Sequence, residues 1–339
     1  MDFSQSRGWT PTILVISADS KIVGICPLMT KKMGIRVVKF LHDGWFSPDL
    51  VFEEQYREIG VNLTLDFLLK GSRCDLIDLT LPMGSPNLKI LKERCRDGKI
   101  CLSEYVTNRD SEMGHRIVPA KNTWDEFSGA KGWRFRRKWK KKKHKLDQAG
   151  SWKIVRIEND NMSDAIKKIL EIERTSWKRA KRIQRKEKID PDIPVIWEGS
   201  QHAADTVPGF NWGVWFLELD GKPIAYQLVL QYKEVAYFVK TSYNERYKRL
   251  SPGAYVINSA IRDMCNRSEV KEIDFLTDLP SYQTWTSKRL PRVRIAMTQG
   301  FVLSTLIRFI VAVERYLPVT YVPRLILERL SIPSEILRA

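Results

Sequence analysis

The stretch from Lys240 to Ile261, KTSYNERYKRLSPGAYVINSAI, sets polar and basic residues against the start of an apolar helical pattern. Ser251 is a favoured N-cap type and Pro252 suits the first helical position. The unpaired N–H groups and partial positive charge of a helix start suit a phosphate or carboxylate. Arg246, Lys248 and Arg249 precede the turn and add to that field. Gly253 weakens a helix by roughly 1 kcal/mol relative to alanine, yet it would let a bulky anionic ligand approach bare backbone. A plain capped helix accounts for the same residues, so both readings stand.

Other chemistries find little support. The five cysteines (Cys26, Cys74, Cys95, Cys101, Cys265) form no CxxC pair, and the four histidines are scattered, so no metal site is expected. Free thiols suit a reducing cytosol. No Ser-His-Asp or Cys-His arrangement marks a covalent nucleophile. The charge balance is the informative number: 57 Lys+Arg against 40 Asp+Glu leave a formal +17 across 339 residues, which favours an anionic partner. Residues 131–145 hold ten Lys/Arg interleaved with Trp133, Phe135 and Trp139, and residues 177–188 hold seven more. Such segments suit phosphate backbones, transfer RNA included, or an anionic membrane surface; a solvated helix face is the plain alternative.

These residues must be held by elements readable from periodicity. Thr12–Met29 reads as two strands around an Asp-Ser-Lys turn, Val37–Leu41 as another apolar run, and Gln55–Leu69 as a helix. Cys74–Pro82 is strand-like and Asn87–Arg96 helical. Trp124–Gly150 reads as one long basic helix, followed by strand Ser151–Ile157, helix Met162–Lys178 and a charged loop through Pro194. Strands Trp212–Leu219, Pro223–Tyr232 and Val235–Ser242, the helix after Ser251, and strand Lys271–Leu276 complete the pattern. A hairpin followed by a helical crossover requires a mixed sheet, with a crevice where parallel neighbours separate near Ser242. Gly300–Leu317 is apolar but contains Arg308, Glu314 and Arg315, a poor membrane span that packs on the fold or lies in a membrane interface.

The chain also resembles itself. SADSKIVGI matches ELDGKPIAY at an offset of 201 (Asp19 with Asp220), and LIDLTLP matches EIDFLTDLP at an offset of 196 (Asp78 with Asp274). Two nearly equal offsets in the same order indicate duplicated α/β modules.

WRFRRKWKKKKHKLDQAG, EIERTSWK and ELDGKPIAYQLVLQYKEVAYFVKTSYNERYKRLSPG, with ILVISADSKIVGICPLM earlier, resemble the GNAT superfamily. The narrower likeness is to its tandem branch of FemAB-type aminoacyl transferases and CelD-like acetyltransferases of exopolysaccharide synthesis. It covers roughly residues 10–290. The implied fold is α/β with two GNAT-like modules, the first reduced: residues 1–122, then 123–290 beginning with the basic helix, then a helical tail over 291–339. A truncated chain start would explain the short first module equally well. The implied activity is acyl transfer from acyl-CoA to a small-molecule, saccharide or peptide amine, without metal, in the cytoplasm or peripherally at the membrane. Aminoacyl-tRNA is the alternative donor, and a non-catalytic nucleic-acid or membrane adaptor the alternative role.

On that resemblance Tyr243, Asp274, Asp278 and Tyr282 are the candidates for proton handling. Lys240, Thr241, Ser242, Arg249, Ser251, Pro252, Gly253 and Ala254 are expected to hold the donor. Trp177, Tyr226, Gln283 and Trp285 are expected to meet the acceptor. Gln283 stands where relatives carry a lysine, and the Ser251–Gly253 turn replaces their glycine-rich pyrophosphate loop.

Overall fold

The computed structural model describes residues 8–41, 49–105, 114–120, 123–159, 161–176, 178, 192–300, 303 and 305. In chain order the strands are β1 (Thr10–Ala18), β2 (Lys21–Met33), β3 (Ile35–Phe40), β4 (Val51–Phe52), β5 (Leu76–Pro82), β6 (Cys101–Tyr105), β7 (Gly114–Pro119), β8 (Trp152–Glu158), β9 (Phe210–Leu219), β10 (Lys222–Tyr232), β11 (Val235–Tyr243), β12 (Glu272–Asp274) and β13 (Arg289–Thr298). The helices are α1 (Arg57–Asp66), α2 (Pro86–Arg94), α3 (Trp124–Ala130), α4 (Gly132–Ala149), α5 (Met162–Arg174), α6 (Asp192–Thr206) and α7 (Pro252–Cys265). The class is mixed α/β. The chain forms two units: residues 1–115 with 277–280 and 289–339, and residues 116–276 with 281–288.

In the first unit the strands run β1-β2-β3-β5-β13, with β4 on β2 and β6 on β13. β3 and β5 are parallel and the other pairs antiparallel. Cys26, Leu28, Val38, Phe40, Ile77, Leu79 and Leu81 project onto Val61, Leu65 and Leu68, giving one buried core. Ser85 caps α2 by accepting from the N–H groups of Asn87 and Leu88, with Pro86 at the first helical position.

In the second unit the order is β7-β12-β11-β10-β9-β8. β11 and β12 are parallel, and the other pairs antiparallel. Val256, Ile257, Ala260 and Ile261 of α7, and Phe135, Trp139 and Leu146 of α4, bury their apolar stripes in one cluster. The helix read as continuous from Trp124 breaks at Gly132, whose φ of 79° ends the first piece. Gly150, at φ 150°, is where Asp220 closes in: a Cβ there would lie 2.6 Å from its carboxylate, which accepts from Ser151 N–H.

Three readings change. Residues 291–298, expected to begin the helical tail, are strand: Val293, Ile295 and Met297 alternate into the first core, a period-2 pattern. α6 stands where a loop was expected to run through Pro194. α5 ends at Arg174, and Thr175–Ser176 leaves the helix for a sheet bridge to Asn244. The internal repeat is visible in geometry. Asp19–Ser20 and Asp220–Gly221 are both two-residue hairpin turns with positive φ at each position (48° and 65°; 49° and 76°). Beyond residue 300 the proposed tail lies outside the described residues, apart from two helical positions, 303 and 305.

Candidate active site

The second unit's sheet opens between β11 and β12. Their parallel ladder holds only Val235↔Glu272, Ala236↔Ile273 and Tyr237↔Asp274. β11 runs on to Tyr243 without β12 beside it. Its pairing with β10 jumps from Phe238 to Lys240, so Val239 is bulged out of the ladder. A bulge at a strand's open edge frees backbone hydrogen-bonding groups from the sheet. The edge is partly lined by the chain just beyond α5: Glu245 N–H donates to Thr175 O at 3.1 Å, and Lys178 Nζ donates to Thr241 O at 3.3 Å.

The strand leads through a 3₁₀ turn, Glu245–Leu250, to α7. Ser251 is not the N-cap its type suggests. It adopts φ 54°, ψ 48°, ends the 3₁₀ turn with its N–H on Lys248 O, and makes no side-chain cap bond. The first helical bond runs from Tyr255 N–H to Ser251 O. The N–H groups of Gly253 and Ala254 precede it, since Pro252 has none. Gly253 is buried, and a Cβ there would lie 3.0 Å from Tyr243 Cδ1. The missing side chain therefore makes room for the Tyr243 ring, which lies where a ligand had been expected.

Beside this turn is an open cleft of about 320 Å³ lined by Lys145, Gln148, Ala149, Arg249 and Leu250. Lys145 Nζ donates to Arg249 O at 3.4 Å, bringing the end of α4 to the start of α7. Two cationic side chains at a helix start suit a phosphate group.

The expected catalytic residues separate. Tyr243 is half-buried at the open end of β11, and burial followed by Glu245 raises its phenol pKa. Asp274 is buried and accepts from Leu276 N–H at 2.6 Å. Asp278 lies in the first unit, buried and paired with Arg289. Tyr282 stacks on Phe275 with centroids 4.3 Å apart, and burial pushes its phenol up to about 12. Of the donor residues, Lys240 and Ser242 are buried, Thr241 Oγ1 donates to Tyr226 O at 2.9 Å, and Arg249 lines the cleft.

Of the residues expected to meet the acceptor, two are buried. Tyr226 is fully buried and donates its hydroxyl to Glu173 Oε1 at 2.8 Å. Trp285 is buried, stacks on Trp139 at 5.7 Å and donates to Asn258 Oδ1 at 3.2 Å. Both are core residues in this structure, because their rings fill the space between helix and sheet. Gln283 is exposed in the turn Pro280–Thr284, and Trp177 lies outside the described residues. Glu173 was not among the expected site residues, although it lies in the EIERTSWK motif; its second oxygen accepts from Ser176 Oγ at 3.2 Å. Among the described residues there is no cluster of metal-ligating side chains.

Residues 134–284 match the family model of an acetyltransferase (GNAT) domain. No curated protein matches the chain. Among solved structures, a conserved protein of unknown function from Bacteroides thetaiotaomicron aligns with TM-score 0.54 and 10% identity, over 87% of this chain and 88% of that one. The C-terminal domain of a protein assigned as a lysylphosphatidylglycerol synthetase from Agrobacterium fabrum gives 0.54 and 12%, over 89% and 88%. FemX gives 0.53 and 10%, over 86% and 89%. The domain match carries the assignment of the chain as an acyltransferase, and the solved structures share its fold.

Proposed function

We propose that the chain transfers an acyl group from acyl-CoA to an amine, using the open end of β11 in the second unit. The observation that carries this reading is the ladder that stops at Tyr237 while a bulged strand continues toward a helix start and a cationic cleft. Lys145, Arg249 and the N–H groups of Gly253 and Ala254 would hold the donor's phosphates. Bound there, the thioester supplies an activated carbonyl. Backbone N–H at the Val239 bulge would stabilise its oxyanion as the amine attacks. The C–N bond forms, the C–S bond breaks, and the Tyr243 phenol gives its proton to the leaving thiolate; the proton shed by nitrogen restores the phenol. A raised pKa keeps Tyr243 protonated for that role at neutral pH.

A covalent acyl-cysteine is disfavoured at Cys265 and Cys95. Burial pushes Cys265 up to about 12 and Cys95 up to about 11, so neither is a thiolate at neutral pH. The acceptor class follows the CelD-like resemblance, a saccharide or peptide amine in envelope or exopolysaccharide synthesis. Acetyl-CoA is expected to raise the melting temperature and Tyr243→Phe to slow thiol release with CoA affinity retained. A melting temperature indifferent to millimolar-range acetyl-CoA removes the reading.

One observation favours aminoacyl-tRNA as donor instead. α4 exposes Arg134, Arg136, Arg137, Lys138, Lys140, Lys141, Lys143 and Lys145, and among the described residues only Lys143 has a carboxylate partner, Asp147. This face continues into the cleft through Lys145. If tRNA binds, replacing Arg134, Arg137 and Lys141 by glutamine lowers affinity and reduces the salt slope by about 0.7–0.9 per lost phosphate contact. No binding at low salt excludes that donor.

A further inference from the structure

Ser242 stands apart from the other polar groups around the open strand. It is fully buried, and among the described residues its Oγ has no hydrogen-bond partner. Leaving a buried hydroxyl unpaired is destabilising, so the fold alone gains nothing by keeping it there. Its surroundings are built with care. Ser242 is the cross-strand partner of Tyr226, so the two side chains share one face of the sheet. On that face the Tyr226 hydroxyl donates to Glu173, which also accepts from Ser176. Ser176 in turn bridges Asn244, two residues beyond Ser242. Tyr243, next along the strand, points to the opposite face and packs on Gly253 at the start of α7.

We propose that Ser242 Oγ is the group that meets the acceptor amine, on the face of β11 opposite the donor's phosphate end. Glu173 is a positioning residue: it ties Tyr226 of β10 to Ser176 and so sets the wall against which Ser242 faces. This assigns Ser242 to the acceptor rather than to the donor, and it rests on the acyl-transfer reading above. The hydroxyl accepts a hydrogen bond from the attacking N–H, holding the nitrogen lone pair toward the carbonyl. It forms no covalent bond and keeps its own proton through the reaction.

The test compares the full chain with Ser242→Ala and Ser242→Cys. Melting temperature, CoA affinity by calorimetry, and thiol release from acetyl-CoA with glucosamine as the amine are measured. The expected result for Ser242→Ala is a melting temperature equal to or above the parent and unchanged CoA affinity. Its kcat/KM for the amine falls roughly tenfold, the loss of one hydrogen bond made in the transition state, and Ser242→Cys recovers part of it. A purely structural hydroxyl would give the opposite pattern. A lowered melting temperature, or amine kinetics within about twofold of the parent, overturns the proposal. If the parent chain binds CoA and releases no thiol with glucosamine, this acceptor assignment fails while the donor site stands; if it binds no CoA, the transfer reading itself fails.

Discussion

Gly253 and Tyr243 form a pair that neither residue type announces. With 3.0 Å between a built Cβ and the ring, Gly253→Ala forces the ring to shift. We expect a loss of about 1–3 kcal/mol, the usual cost of overpacking, relieved in the double variant with Tyr243→Ala; additive losses in a double-mutant cycle would separate the two residues. Buried acids of the second unit set its alkaline limit. Cys265 rises from 9.0 to about 12 and Tyr282 from 10.0 to about 12, both through burial. In each case the folded state binds the proton more tightly than the unfolded chain. Stability is therefore full below pH 9 and falls as pH rises from 9 toward 12. Denaturant melts across that range should flatten in the Cys265→Ala, Tyr282→Phe double variant; a slope equal to the parent's assigns the alkaline loss elsewhere.

Among the elements, α4 joins packing to charge. Phe135 and Trp139 continue an aromatic series through Trp285 to Phe275 at the end of β12, with centroids 5.7–5.9 Å apart. The Lys138 and Lys142 side chains reach over Trp139, and burial lowers the Lys142 pKa. The basic helix is thus anchored by its aromatic side, while among the described residues the exposed cations on its other faces, Lys143 apart, have no carboxylate partner. Trp139→Ala should cost about 3–5 kcal/mol and displace Lys145 from the cleft, read as weaker CoA binding together with a lower denaturation midpoint. Unchanged CoA affinity in a destabilised variant would uncouple anchor from cleft.

For the whole molecule, the two units repeat one plan but differ at the split. In the first, β3 and β5 pair only at Val37↔Leu76 and Val38↔Ile77. The next residues are Lys39 and Asp78, bridged at 3.4 Å, and Arg294 adds a second contact to the same carboxylate at 2.7 Å. All three are buried. Where the second unit is open, the first is closed by its own charges. Titration with CoA should therefore saturate at about one equivalent per chain, and a second site of similar affinity would contradict the closure. Replacing Asp78 by alanine leaves two buried cations short of a partner and should cost about 3–5 kcal/mol.

Much of this followed from local pattern. The near-continuous apolar runs of β9, β10 and β11 and the 3.6-residue period of α5 and α7 are local patterns, written in adjacent residues. The Asp19 and Asp220 turns were readable because short polar residues tolerate positive φ where hairpins need it. The strand in residues 291–298 was obscured because it completes a sheet begun over two hundred residues earlier, and its period could be judged only beside those partners. The site divides the same way. The Ser-Pro-Gly turn marked the correct helix start, since proline and glycine constrain backbone locally. What occupies the turn, which face Ser242 takes, and why Tyr226 and Trp285 are core rather than surface depend on cross-strand register and side-chain volume. Those quantities exist only once distant segments are packed against one another.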